Sequence, residues 1–143
     1  MSVTTPPAWA NTPPHAADEN TLIVRNDPGG SVRKRFEQIK QLQAEGTKIE
    51  IREGFCLSSC TMYLGLENTC VVGDARFGFH GPQRFAGKLT REQFKEWSIF
   101  IAQFYPAPIK EWYLEQGHTK VNGYYKISGA ELIRLGVQSC DEP

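Results

Sequence analysis

Several things are missing from this chain, and each absence removes a class of explanation. Nothing in its 143 residues approaches the roughly 18 to 20 consecutive apolar residues of a membrane-spanning helix. Charge of one sign is also missing: 16 Lys and Arg balance 16 Asp and Glu. A duplex-binding protein carries a surplus of cations to neutralise phosphates, so nucleic acid is not an expected partner. Residues 1 to 20 (MSVTTPPAWANTPPHAADEN) contain no basic residue and no apolar stretch of about 7 to 15, so they do not read as a secretory signal. They hold four of the nine prolines and are expected to form a flexible Pro/Ala-rich arm, residues 1–20, before a single α/β domain, residues 21–143. The alternative is that the arm wraps a body whose core begins later. Neither a phosphate loop of the form GxxxxGK[ST] nor a GxSxG elbow occurs.

Cysteine is sparse. Cys56, Cys60, Cys70 and Cys140 fall well below the density of a disulfide-built miniprotein, and four cysteines allow three complete pairings. A zinc site drawn from Cys56, Cys60 and Cys70 with His80 or His118 would need a second close pair, and there is none, so neither metal nor cofactor is expected. What remains, 40% hydrophobic and 22% charged, is ordinary globular usage.

The pattern becomes decisive from Thr21. Thr21-Leu22-Ile23-Val24-Arg25 reads as a buried strand, stopped by Asn26-Asp27-Pro28-Gly29-Gly30. Ser31 can cap a following helix with apolar positions Val32, Phe36, Ile39 and Leu42, ended by Gly46. Ile49 and Ile51 share one face of a second strand. The strand–helix–strand unit predicts parallel neighbours through a right-handed crossover. A helix-like apolar stretch follows Ser58, and strand pieces surround Gly73-Asp74. A capping box opens at Thr90-Arg91-Glu92-Gln93 before Phe94, Trp97, Ile101 and Phe104. Pro106 and Pro108 break that helix, and Ile109, Trp112 and Tyr113 share a face of the next. A last short helix begins with a second capping box, Ser128-Gly129-Ala130-Glu131. The sum is an α/β domain with a mainly parallel sheet.

Three pieces carry chemistry, and each has a plain structural alternative. Pro28-Gly29-Gly30-Ser31 lets backbone approach a ligand at a helix start that favours negative charge; alone it can be only a turn. Ser58, with Ser59 beside it, stands at a strand's carboxyl end, where open α/β sheets put ligands; alone it can be only a helix cap. His80 ends Phe77-Gly78-Phe79 and precedes Gly81-Pro82, at a sheet edge suited to a general base; alone it can be structural.

In that order and spacing the three resemble the Clp protease proteolytic subunit and the wider crotonase-like superfamily. Within it, the likeness is strongest to uncharacterised, often exported bacterial Clp-protease-like proteins. Cys56, Ser58, Cys60, Thr61, Cys70, Gly78, Phe79 and His80 reproduce their pattern, followed by Tyr105-Pro106, Trp112 and Cys140. The resemblance covers about residues 22–140. It implies a crotonase/ClpP-like core, a mainly parallel sheet flanked by helices, lacking the strand and helix that normally precede the Gly-Gly strand. It implies a serine hydrolase of peptidase type, with Ser58 as nucleophile and His80 as base. Gly29, Gly30 and Ser59 form the oxyanion and substrate-binding backbone. The acidic third member of the family's proteases is absent near Tyr124, and Asn122 is the nearest orienter. The resemblance further implies a peptide or small acyl substrate, a homo-oligomer, at least one disulfide among the four cysteines bracing the loops around Ser58, and an extracytoplasmic location. A catalytically inactive binding or scaffold protein of the same fold is the alternative.

Overall fold

Strand formers cut short by a run of turn residues give β1 (Thr21–Val24). The computed structural model describes residues 20–83 and 87–141, so the arm expected over residues 1–19 lies outside the described residues. Ser31 caps α1 (Val32–Glu45) by accepting from the Lys34 N–H, and Gly46 ends it in the left-handed region at φ 68°. The chain returns as β2 (Lys48–Ile51), parallel to β1 in the register Leu22 to Ile49, as the strand–helix–strand reading requires. β4 (Thr69–Val71) adds to β2, also parallel.

A second sheet takes over after Arg52-Glu53. Gly54, at φ 114°, swings the backbone aside, so that β3 (Gly54–Leu57) does not continue the first sheet. It pairs in parallel with β5 (Ala75–Phe79), which pairs antiparallel with β6 (Tyr125–Ser128). The architecture is therefore mixed α/β with two small three-stranded sheets rather than one, parallel at three of the four pairings. Asp27 joins them: its N–H donates to the Phe55 carbonyl and its carbonyl accepts from Leu57, both at 2.9 Å. Being an edge strand, β1 is less buried than its composition predicts. Val24 is buried, but Ile23 is 43% exposed.

Between β3 and β4 the apolar stretch forms a 3-10 helix, Ser58–Gly65, buried from Ser59 to Leu64. Thr90 and Gln93 complete the expected capping box of α2 (Arg91–Ala102). Pro106 precedes α3 (Ala107–Glu115), and Ser128 caps α4 (Gly129–Arg134). The second capping box forms only in half, because Glu131 pairs with Arg134 instead of reaching back. Phe36 of α1 packs edge-on against Phe100 and Phe104, with ring centroids 5.2 and 5.9 Å apart. Ile49, Ile51, Val71, Phe77, Ile109 and Leu132 fill the core between sheets and helices.

Two disulfides are present, Cys56–Cys60 and Cys70–Cys140. The second ties β4 to the C-terminal segment, where Cys140 also donates its N–H to Val71 at 2.9 Å. It spans 70 residues, so it removes much freedom from the unfolded chain. The double variant Cys70→Ala/Cys140→Ala is expected to lose about 2–5 kcal/mol in urea denaturation of the oxidised protein. A loss within error of zero would contradict this role.

Candidate active site

Strand register builds the site. Leu57 of β3 lies opposite Gly78 of β5, so Ser58 and His80 follow the carboxyl ends of two neighbouring parallel strands. Both line a cavity of about 760 Å³, together with Gly30, Ser59, Trp97 and Tyr105.

Ser58 has left-handed backbone, φ 57°, which costs a non-glycine residue about 1–3 kcal/mol and is held only where the surroundings enforce it. The enforcing contacts are local. Cys56–Cys60 closes a loop over Leu57-Ser58-Ser59. Gly29, at φ 94°, packs so closely that a Cβ there would lie 2.6 Å from both the Leu57 oxygen and Ser58 Cβ. Leu57, not Ser58, occupies the helix cap position, and no side chain caps that helix. The plain N-cap role for Ser58 is thus not the one it has. It stays half-buried at the cavity wall, open to a ligand.

The diglycine turn is set by a carboxylate. Asp27 accepts from the Gly29 N–H at 2.8 Å and pairs with Arg35 at 2.9 Å. Arg35 is buried in α1, its guanidinium 4.7 Å above the Tyr63 ring. Gly29's N–H is therefore committed to Asp27, and Gly29 serves as a thin spacer against Ser58. Gly30, at φ 136°, faces open space on the cavity wall. Ser59, second in the 3-10 helix, has an N–H that precedes the first intrahelical donor and so has no acceptor within the helix. Gly30 and Ser59 thus both line the cavity that holds Ser58, and their N–H groups are the candidate oxyanion donors.

His80 is half-buried, and its Nδ1 lies 2.6 Å from the Gly81 carbonyl oxygen. A carbonyl only accepts, so Nδ1 carries the proton and Nε2 is left as the basic nitrogen. Tyr124 packs edge-on to the imidazole, centroids 5.0 Å apart. Burial holds the imidazole below its ordinary value of 6.5, only partly offset by the Gly81 contact. Asn122 is not part of this cluster. It is exposed and does not line the cavity, and the contact expected of it is made by main chain. No protein-family model matches the chain, and no curated protein matches it.

The remaining expectations divide in the same way. All four cysteines are consumed in disulfides, so Cys56, Cys60 and Cys70 have no thiolate for a zinc ion. His15 lies outside the described residues. His118 has a partner the sequence does not reveal: its Nδ1 is 3.1 Å from Ser98 Oγ, but Ser98 is sealed inside the packing of α2. That second serine–histidine pair is structural. Arg35 escapes sequence reasoning altogether, and Thr61, Tyr105 and Tyr113, which motif and periodicity do mark, reveal their hydrogen bonds to the site only through contacts in the fold.

Two outcomes follow from this geometry. Gly29→Ala must place a Cβ against the Leu57–Ser58 junction at positive φ, so it is expected to destabilise the fold by about 1–3 kcal/mol in thermal or urea unfolding. An unchanged stability would mean that the close approach is not real. For His80, an NMR titration is expected to show a midpoint below 6.5. The unfolded chain then binds a proton that the folded one refuses, so His80's effect on stability is nil above about pH 6.5 and increasingly unfavourable as pH falls below it. A midpoint at or above 6.5 would contradict its burial.

Proposed function

We propose that this chain is a serine hydrolase of Clp-protease-like type, acting on a peptide or small acyl substrate. The observation that carries the reading is that the strained Ser58 and an imidazole whose free nitrogen is Nε2 line one cavity with Gly30 and Ser59. In this reading Ser58 Oγ attacks the substrate carbonyl and His80 Nε2 takes its proton. The carbonyl oxygen, now negative, is bound by the Gly30 and Ser59 N–H groups. His80 returns the proton to the leaving group as the carbon–heteroatom bond breaks, leaving Ser58 acylated. Water, deprotonated by the same imidazole, then releases the acid and restores the serine.

The acidic member of a full triad is replaced here by the Gly81 carbonyl. A carbonyl fixes the tautomer as a carboxylate does, but adds little to stabilise the imidazolium that forms. A slow catalyst is expected, and a depressed imidazole pKa keeps the base free at neutral pH. The ordered match to the crotonase-like pattern supports the same fold assignment for the core. The two disulfides support an extracytoplasmic location, where such bonds persist. Among the described residues no helix is long and apolar enough to cross a membrane.

The neutral orienter also suits a relative that has kept the fold and lost catalysis, and one experiment separates the two. A fluorophosphonate probe is expected to label the folded protein at Ser58 alone, with labelling lost in Ser58→Ala and slowed at least about 10²-fold in His80→Ala. Folded protein that resists the probe would favour the scaffold reading. Labelling or hydrolysis that persists in both variants would overturn the mechanism.

A further inference from the structure

A buried hydroxyl chain runs from the helical side of the molecule to the Ser58 peptide. Thr61, fully buried, donates to the Ser58 carbonyl at 2.6 Å, and its Oγ1 lies 2.7 Å from the Tyr105 hydroxyl. A threonine hydroxyl has one proton. With that proton given to Ser58, the Tyr105 O–H must be the donor to Thr61. Burial raises the Tyr105 phenol above its ordinary value of 10, so it keeps the proton it donates. Ser58 C=O and Ser59 N–H belong to one planar peptide, and no cis bond occurs among the described residues. Holding the carbonyl therefore aims the amide, which points the opposite way.

We propose that Tyr105, acting through Thr61, is a positioning residue that aims the Ser59 N–H as an oxyanion donor. The role rests on the hydrolase reading above. Tyr105 suits it because it follows α2, is anchored edge-on to Phe79 at 5.4 Å, and lines the cavity itself. Its ring also stacks edge-on with Tyr113 at 5.1 Å, and Tyr113 donates to the His80 carbonyl at 2.9 Å. The same pair of neutral tyrosines thus grips the backbone at both reacting residues.

The test combines an activity-independent readout with a kinetic one. In ¹⁵N-labelled protein, Tyr105→Phe and Thr61→Val are each expected to shift the Ser59 amide resonance and to slow fluorophosphonate labelling of Ser58 about 10- to 100-fold, short of losing a donor entirely. Because both break one chain, the double variant should label no more slowly than the slower single variant. The pH of half-maximal labelling, set by His80, should not move. Thr69→Val is the control: it removes a buried hydroxyl bound to the Tyr63 carbonyl at 2.7 Å, remote from the cavity, and should destabilise the fold yet label at the parent rate. An unmoved Ser59 resonance, additive slowing in the double variant, or equal slowing in Thr69→Val would overturn the role while leaving the hydrolase reading intact. Parent protein that is never labelled at Ser58 would overturn the hydrolase reading and this role with it.

Discussion

The backbone at Leu57-Ser58 is the constraint on which the rest depends. A non-glycine residue at φ 57° returns to ordinary conformations unless something prevents it, and here four contacts do. The Cys56–Cys60 bond closes the loop from within the chain. Gly29 presses on it from the side of the first crossover. Asp27 ties the preceding strand into the ladder, and Thr61 takes hold of the Ser58 carbonyl. These contacts come from two segments, residues 27–29 and 56–61, so the serine is presented only once the first crossover has brought them together. The strain is stable only as part of the whole.

The electrostatics around that serine are built mostly from main chain. In the proposed reaction the oxyanion donors are amides and the orienter of the imidazole is a carbonyl, while the charged pair Asp27–Arg35 sits one layer back, where it fixes the diglycine turn. Fixed dipoles need no reorganisation as charge develops, which is how such a site helps a reaction. The same design limits it, because no full negative charge faces the imidazolium. The proposed mechanism therefore implies a modest catalyst, and the two disulfides suit a compartment where such bonds persist.

The parts legible in the sequence are those whose cause is local. The first strand, its turn and the Ser31 and Gly46 caps follow from residues within a few positions of each other, and so does the capping box at Thr90. That Ser58 and His80 share one cavity follows from a motif order rather than from periodicity. Non-local causes stayed hidden. Arg35 falls at helical spacing from Val32, Ile39 and Leu42, among the apolar positions of α1, and its charge is buried there because Asp27 and Tyr63 arrive from elsewhere to pair with it. The apolar stretch after Ser58 is a 3-10 helix rather than the α-helix its composition resembles, since it must fit between β3 and β4. Asn122 was a reasonable orienter by side-chain chemistry. A backbone carbonyl, which every residue carries, leaves no mark in sequence, and for that reason Gly81 could not be singled out.

The central claim is that Ser58 and the two amides share one reacting position. A crystal structure with a peptide boronic acid tests it directly, since boron forms a tetrahedral adduct with a reactive serine. The account predicts continuous density from Ser58 Oγ to boron, with one boronate oxygen about 2.7–3.1 Å from both the Gly30 and Ser59 nitrogens. An adduct whose oxygen faces solvent or other side chains, or a boronate bound away from Ser58, would contradict it.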